Sequence, residues 1–343
     1  MKNTTIAVDI AKDIFEIALS HKPGEVNEKH RVTRKKLLSF FVNQPPTTVV
    51  MEACGSAHHW AREVNKLGHR VVLLPPHMVR PYVQRNKTDQ SDAKGMLEAY
   101  RNKDIKPVPV KSISQQSITL LHRVRSSWAA SRTARLNMIR GLLRELGIFI
   151  PVGARKVVPR VLELLEDADS QLPDAVRHTL HEVCLEIRDY EQRMRDVEKQ
   201  LEALSKQIPT VTLLRTVPGI GLLTSTALFA FVGDIQRFRS SRHFAAFLGL
   251  TPRLRGSGFA IHLGPISKQG DRYLRMLVSH GARSVLLRAK SMNPPDRLRA
   301  WALTVHSRRG HNKATIAIAN KLARIVWAVW KHDTEFQSYP KAA

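Results

Sequence analysis

Residues 4–19 read TTIAVDIAKDIFEIAL, and this stretch decides the fold of the first third of the chain. Thr4 to Asp9 is a short β-prone run, and Ile14 to Leu19 alternates well enough to pair with it as a hairpin. Two more strands are predicted at Thr47–Glu52 and His69–Leu74. Between them Ala57 to Leu67 has helical spacing and closes on Gly68, while Pro75-Pro76 stops the fourth strand. Strands interleaved with helices predict a mixed sheet with helices packed on it.

Beyond this α/β region the pattern turns helical. From about 112 to 148, Leu120, Leu121, Val124, Trp128, Leu136, Ile139, Leu142, Leu143 and Leu146 recur at threes and fours, and Gly147 and Pro151 end the run. A second stretch over about 174–207 repeats Val183, Ile187, Tyr190, Met194, Val197, Leu201 and Leu204 in the same way. That is the pattern of an antiparallel helical hairpin or coiled-coil arm, equally open to an ordinary connector or a dimerisation device. After Pro209, helices are expected at Leu222–Val232, His243–Leu250, Arg272–Leu287, Pro295–Val305 and Lys313–Trp330. The expected organisation is therefore 1–108 α/β, 109–208 a helical linker and 209–343 a mostly helical domain.

The 343 residues carry 55 Lys and Arg against 29 Asp and Glu, a formal charge of +26. Residues 209–343 alone hold 21 basic and five acidic side chains. A solvated surface normally mixes both signs, so this excess predicts a polyanionic partner, with nucleic acid first. Two cysteines are too few for a disulfide scaffold or a Cys-rich zinc site, and the 15 histidines show no HxxxH spacing. No long uncharged apolar run suggests a membrane span and no apolar leader precedes the first carboxylates, so the expected compartment is the cytoplasm.

Acidic residues are scarce in the first region, which makes their placement informative. Asp9 ends the first strand, Glu52 ends the third, and Asp89 and Asp92 stand at i and i+3 near a helix start. Such carboxylates can form a hard-oxygen cage for two Mg²⁺ ions that clamp the oxygens of a phosphodiester. The bland alternative is a helix N-cap at Asp89 and a turn residue at Asp9. In Val217-Pro218-Gly219-Ile220-Gly221, Gly219 and Gly221 could present backbone N–H groups to phosphate as in a helix-hairpin-helix, and a turn joining two core helices would look the same. Arg308 to Lys313 reads as a phosphate-gripping loop or a solvated turn.

Six blocks carry a resemblance: Val8-Asp9-Ile10-Ala11-Lys12, Met51-Glu52-Ala53-Cys54-Gly55, Lys87 to Ala93, Pro218 to Gly221, Phe244 to Arg253 and Ile266 to Asp271. In this order they resemble the DEDD insertion-sequence transposases of the IS110 family, over about residues 4–330. The resemblance implies a RuvC-like, RNase H-type N-terminal domain, a coiled-coil linker and a helical transposase domain. It implies a recombinase guided by a structured bridge RNA, acting on donor and target duplex DNA as a tetramer in the bacterial cytoplasm at the nucleoid. It further implies Asp9, Glu52, Asp89 and Asp92 as the metal-bound tetrad and Ser257, in the Ser257-Gly258 pair, as nucleophile. A serine needs a base or metal to become nucleophilic, and flanking glycines let the backbone approach a phosphate. Ser240, Ser241 and Ser267 are the rival serines, the first two well placed for helix capping. The expected phosphate contacts are Arg123, Arg132 and Arg135 on the first long helix, then Arg253, Arg255, Lys268, Arg272, Arg275 and Lys313. A Holliday-junction resolvase or other RuvC-like nuclease would share the tetrad without needing the serine domain. A non-catalytic nucleic-acid-binding protein would explain the charge without the carboxylates.

Overall fold

The computed structural model describes residues 4–22, 25–83, 89–170, 172–257, 260–293 and 295–338, with the backbone alone at 89–91, 257 and 261. The chain divides into two compact units, Met1–Ile113 and Ser114–Ala343.

The first unit is built on a five-stranded sheet. β1 (Thr5–Asp9) and β2 (Ile14–Ser20) form the hairpin expected from their alternation, and β3 (Glu28–Thr33) extends it antiparallel at the edge. After α1 (Leu37–Val42) the chain crosses over, so that β4 (Thr48–Glu52) lies parallel to β1, and β5 (Arg70–Leu74) parallel to β4. The crossover between β4 and β5 carries α2 (Ala57–Lys66). The strand order is β3-β2-β1-β4-β5. Short helix α3 (Pro76–Val79) and then α4 (Asp89–Arg101) complete the unit.

Because side chains alternate across a strand, the sheet has two chemically different faces. Ile6, Val8, Phe15, Ile17, Val49, Met51 and Leu73 pack with Leu37 and Phe41 of α1 and with Trp60 and Val64 of α2. The opposite face is built from the intervening residues Ala7, Ala18, Val50, Val72 and Leu74. It packs against Ala93, Met96 and Leu97 of α4. Small alanines at the centre of this face let α4 lie close across β1, β2 and β4.

The second unit begins with two long helices, α5 (Ile113–Glu145) and α7 (Asp174–Ser205), with α6 (Val157–Glu166) between them. Leu136, Ile139 and Leu143 pack with Leu180, Cys184 and Ile187, and farther along Ile118 packs with Val197 and Leu201. Flanking this apolar seam, Arg125 pairs with Glu198, Arg132 with Glu191, and Arg135 with Glu186. Descending partner numbers along α7 fix the pair as antiparallel, as the heptad-like spacing predicts.

Around one core then pack α8 (Pro209–Arg215), α9 (Leu222–Val232), α10 (Ser241–Phe247), α11 (Arg272–Ser291) and α12 (Arg297–His332). Helix α12 is broken at Gly310, whose backbone is non-helical at φ 73, ψ 172, so two helical runs meet within the stretch 308–313 expected as a loop or turn. A hairpin of β6 (Pro252–Ser257) and β7 (Ala260–Ile266) projects from this core, with Leu254 opposite Leu263 and both 71% exposed.

Candidate active site and nucleic-acid interface

The register of the sheet brings two of the sequence-predicted carboxylates together. Val8 pairs with Met51 across the parallel β1–β4 ladder, so one step on Asp9 and Glu52 stand side by side at the strands' C-terminal ends. Parity puts both on the Ala7 and Val50 face, the face that α4 covers. Asp92 lies one turn ahead of Met96, which is buried against that same face. Its Oδ1 is buried and has no hydrogen-bond partner among the described residues. A carboxylate oxygen withdrawn from water without a donor is costly unless something positive meets it, so a cation at Asp92 would offset that cost. Asp89 opens α4, and its side chain lies outside the described residues. Among the described residues, no three His, Cys, Asp or Glu side chains converge closely enough to hold a metal ion.

One acidic residue in this row escaped the sequence reading. Glu16 is the direct cross-strand partner of Asp9, shares its face with Ala18, and is only 5% exposed. It is ion-paired with Arg31, its own partner on β3. A single row across the sheet thus runs Arg31, Glu16, Asp9, Glu52. The available signal was a lone Glu inside the apolar alternation of Ile14 to Leu19.

In the second unit, β6 ends at Ser257, paired with Ala260 across the hairpin's tip. The Ser257 side chain and Gly258 lie outside the described residues. Of the rival serines, Ser240 caps α10 by accepting from the His243 amide at 3.4 Å, and Ser241 is the first residue of that helix. Ser267 donates its amide to the Thr251 carbonyl, and its own carbonyl accepts from Arg253 Nε and Nη2 at 3.3 and 3.2 Å.

The root of this hairpin is held rigidly. A Cβ on Gly249 would lie 2.0 Å from the Gln269 carbonyl oxygen, and one on Gly270 would lie 1.9 Å from that of Phe247. Both glycines have positive φ, so only glycine suits either the space or the backbone. Between them Lys268 is itself left-handed, at φ 55, with its amide donating to the Gly249 carbonyl. Arg275 Nη1 donates to the Leu248 and Gln269 carbonyls at 3.3 and 3.2 Å and ties the two loops together. Arg253 and Arg275 therefore brace the hairpin, Arg253 while remaining exposed, and Arg255, Lys268, Arg272 and Lys313 are exposed as well.

The remaining predicted contacts divide similarly. Arg132 and Arg135 are engaged by Glu191 and Glu186, while Arg123 is exposed. Gly219 fits the core-turn alternative: a Cβ there would meet the Gly281 carbonyl oxygen at 2.5 Å, so α11 crosses the turn backbone to backbone. Gly221 caps α9 with open space where a Cβ would stand. No helix among the described residues is long and apolar enough to cross a membrane.

Comparison with known proteins matches both units. Residues 6–148 match a family model described as transposase, of the DEDD IS110 type. Residues 211–297 match the model of the transposase IS116/IS110/IS902 family. A probable family 20 transposase of Pseudomonas aeruginosa is 38% identical, over 97% of this chain and 98% of the relative. The transposase for insertion sequence element IS1111A of Coxiella burnetii is 36% identical, over 94% of this chain and 88% of the relative. A pilin gene-inverting protein of Moraxella lacunata is 25% identical over 80% of both chains.

Proposed function

Because this chain belongs to the IS110 family of DEDD insertion-sequence transposases, enzymes that act on DNA, we propose that it cuts and rejoins DNA with Asp9, Glu52, Asp89 and Asp92 as metal-holding carboxylates and Ser257 as nucleophile. In this reading residues 1–108 serve as a RuvC-like domain, 109–208 as the helical arm and 209–343 as the serine-bearing domain. The observation that carries it is the shared face of Asp9 and Glu52 beneath α4, with the buried, unpartnered Oδ1 of Asp92 on that helix.

A divalent cation such as Mg²⁺, when bound, supplies positive charge to the phosphodiester oxygens and acidity to an attacking hydroxyl. The chain's own part is then as follows. Ser257 Oγ forms a bond to phosphorus while the bond from phosphorus to one bridging deoxyribose oxygen breaks, and the proton lost by the serine ends on that leaving oxygen. The phosphoserine bond stores the energy of the broken linkage, so a second deoxyribose hydroxyl rejoins the strand by the reverse step and frees the serine. Arg255 and Lys268, exposed on and beside the hairpin, supply charge for the non-bridging oxygens. The family resemblance and the basic second unit also support a structured guide RNA and a tetrameric assembly, in which target choice rests on base pairing with the RNA.

The test is capture of a covalent protein–DNA adduct on a nicked substrate in the presence of Mg²⁺, with RNA co-purifying with the protein sequenced in parallel. The wild-type chain is expected to form the adduct, and Ser257→Ala and Asp92→Asn to form none. Hydrolytic cleavage with no adduct would mark a nuclease instead. An adduct on Ser257→Ala would move the nucleophile to Ser240, Ser241 or Ser267.

A further inference from the structure

A groove of about 800 Å³ lies where the root of the β6–β7 hairpin meets the two halves of the kinked helix α12. Its walls are Leu250, Pro252 and Ile266 on the hairpin side, with Trp301, Lys313 and Asn320 from α12. We propose that this groove receives an unpaired nucleotide of the DNA strand whose phosphodiester Ser257 attacks, with its base against Trp301 and its phosphate at Lys313. The choice of a DNA strand rests on the transposase reading.

The lining has the composition of a base-binding site. Trp301 is half-buried, and the Lys321 Nζ stands 5.6 Å from the centre of its ring, so a cation already addresses the indole. Around the ring the described walls are aliphatic and carry no acidic residue. The groove's described amide and charged side chains are Asn312, Asn320 and Lys313. Asn320 Nδ2 donates to the Leu250 carbonyl at 3.2 Å, which fixes its amide and turns the Oδ1 into an oriented acceptor. An aromatic ring, an oriented amide and a mouth with a lysine suit a flat, polar-edged, anionic ligand. The volume lies within the size class of small-molecule sites, about 300–1,000 Å³.

The walls are also built before any ligand arrives. The Gly249–Gly270 crossing and the Arg275 bridge hold the hairpin side, and Asn320 ties α12 to Leu250 directly. Charge favours nucleic acid over an apolar peptide, because residues 209–343 hold 21 basic against five acidic side chains. Position favours the reacting strand. Pro252 in the groove wall and Ser257 are the two ends of β6, about 17 Å apart at the rise of an extended strand. A strand following Arg253 and Arg255 would span this in a few nucleotides.

The experiment titrates the full-length protein with a short single-stranded DNA carrying 2-aminopurine, and with its duplex. For the single strand, Trp301→Ala is expected to weaken binding about 5- to 150-fold, the range for loss of one base–aromatic stack, and to abolish 2-aminopurine quenching. Trp301→Phe should retain most of both signals, and duplex affinity should change less than twofold. Lys313→Ala, at an exposed site, should weaken single-strand binding and lower its salt dependence even if Trp301→Ala fails to fold. Unchanged single-strand affinity and quenching in both Trp301→Ala and Lys313→Ala would overturn the inference. So would a Trp301→Ala protein that binds DNA normally but sediments as a smaller species, which would make the groove a contact between copies. Adduct formation at Ser257, scored on the same proteins, separates the two ideas. Single-strand binding that does not depend on Trp301, with the adduct still formed at Ser257, sinks the groove alone, and Trp301-dependent binding with no adduct at Ser257 sinks the nucleophile alone.

Discussion

Asp92 and His122 show how one buried polar atom sets a measurable property. The Oδ1 of Asp92 has no donor among the described residues, so a divalent cation that meets it should stabilise the fold by mass action. Millimolar Mg²⁺ or Mn²⁺ is expected to raise the melting temperature of the wild-type chain and to leave Asp92→Asn unmoved, read by calorimetry without DNA. Equal shifts in both proteins would remove Asp92 from the metal site. His122 is 1% exposed and fully used. Thr226 donates its hydroxyl to the Leu222 carbonyl and so accepts from His122 Nε2–H, while Nδ1 accepts from the Tyr273 hydroxyl. Burial, helped by the nearby Arg125 charge, lowers His122 to about 4. The folded state therefore keeps this ring neutral where the unfolded chain protonates it. Its contribution is present above about pH 6.5 and is lost as pH falls towards 4, up to about 3 kcal/mol. Urea melts from pH 7.5 to 4.5 should show this slope, and His122→Gln should flatten part of it.

At the scale of elements, the hairpin root and the helical arm are stabilised by different means. Gly270 sits 1.9 Å, by its missing Cβ, from the Phe247 carbonyl and at φ 87. Gly270→Ala is thus expected to cost more than about 2 kcal/mol, since strained backbone and a backbone clash add. Denaturant unfolding of the full chain checks this, with Gly141→Ala as control because nothing stands within 4 Å there. The arm's Arg–Glu pairs are a third or so exposed, so each contributes little, well under 1 kcal/mol. Their role is register: three pairs at matched heights permit one alignment of α5 and α7 beside an apolar seam that several alignments could fill. They also draw Arg132 and Arg135 towards α7, so the arm presents less free positive charge than its composition suggests.

For the whole molecule the governing quantity is the charge of +26, concentrated in residues 209–343. Duplex DNA binding should weaken linearly in log–log form as salt rises, with a slope growing by about 0.9 for each phosphate neutralised. Removing the exposed Arg255, Arg272 and Lys313 together should flatten that slope by about 2–3. Fluorescence anisotropy between 50 and 300 mM salt measures it, and an unchanged slope would place the phosphate contacts elsewhere.

Much of the architecture was written locally. Four of the five strands in the first sheet, the long helices of the arm and the helices of the last 130 or so residues follow from alternation, three-four spacing and Pro or Gly boundaries. Asp9 and Glu52 were legible as strand-end carboxylates for the same reason. Helices α1 and α6 escaped, and so did strands with weak local signals: β3 reads EKHRVT, a polar edge strand, and β6–β7 is punctuated by Pro and Gly and exposes its leucines. Only the tertiary structure decided that β4 runs parallel to β1, which puts Asp9 and Glu52 on one face and adds Glu16 to their row. It alone opposed Gly219 to Gly281, gave Arg132 and Arg135 their glutamates, and opened a groove between residues 250 and 320. The physical reason is that periodicity tells each element which face to bury. Which buried faces meet depends on packing among residues far apart in the chain, and no local pattern contains it.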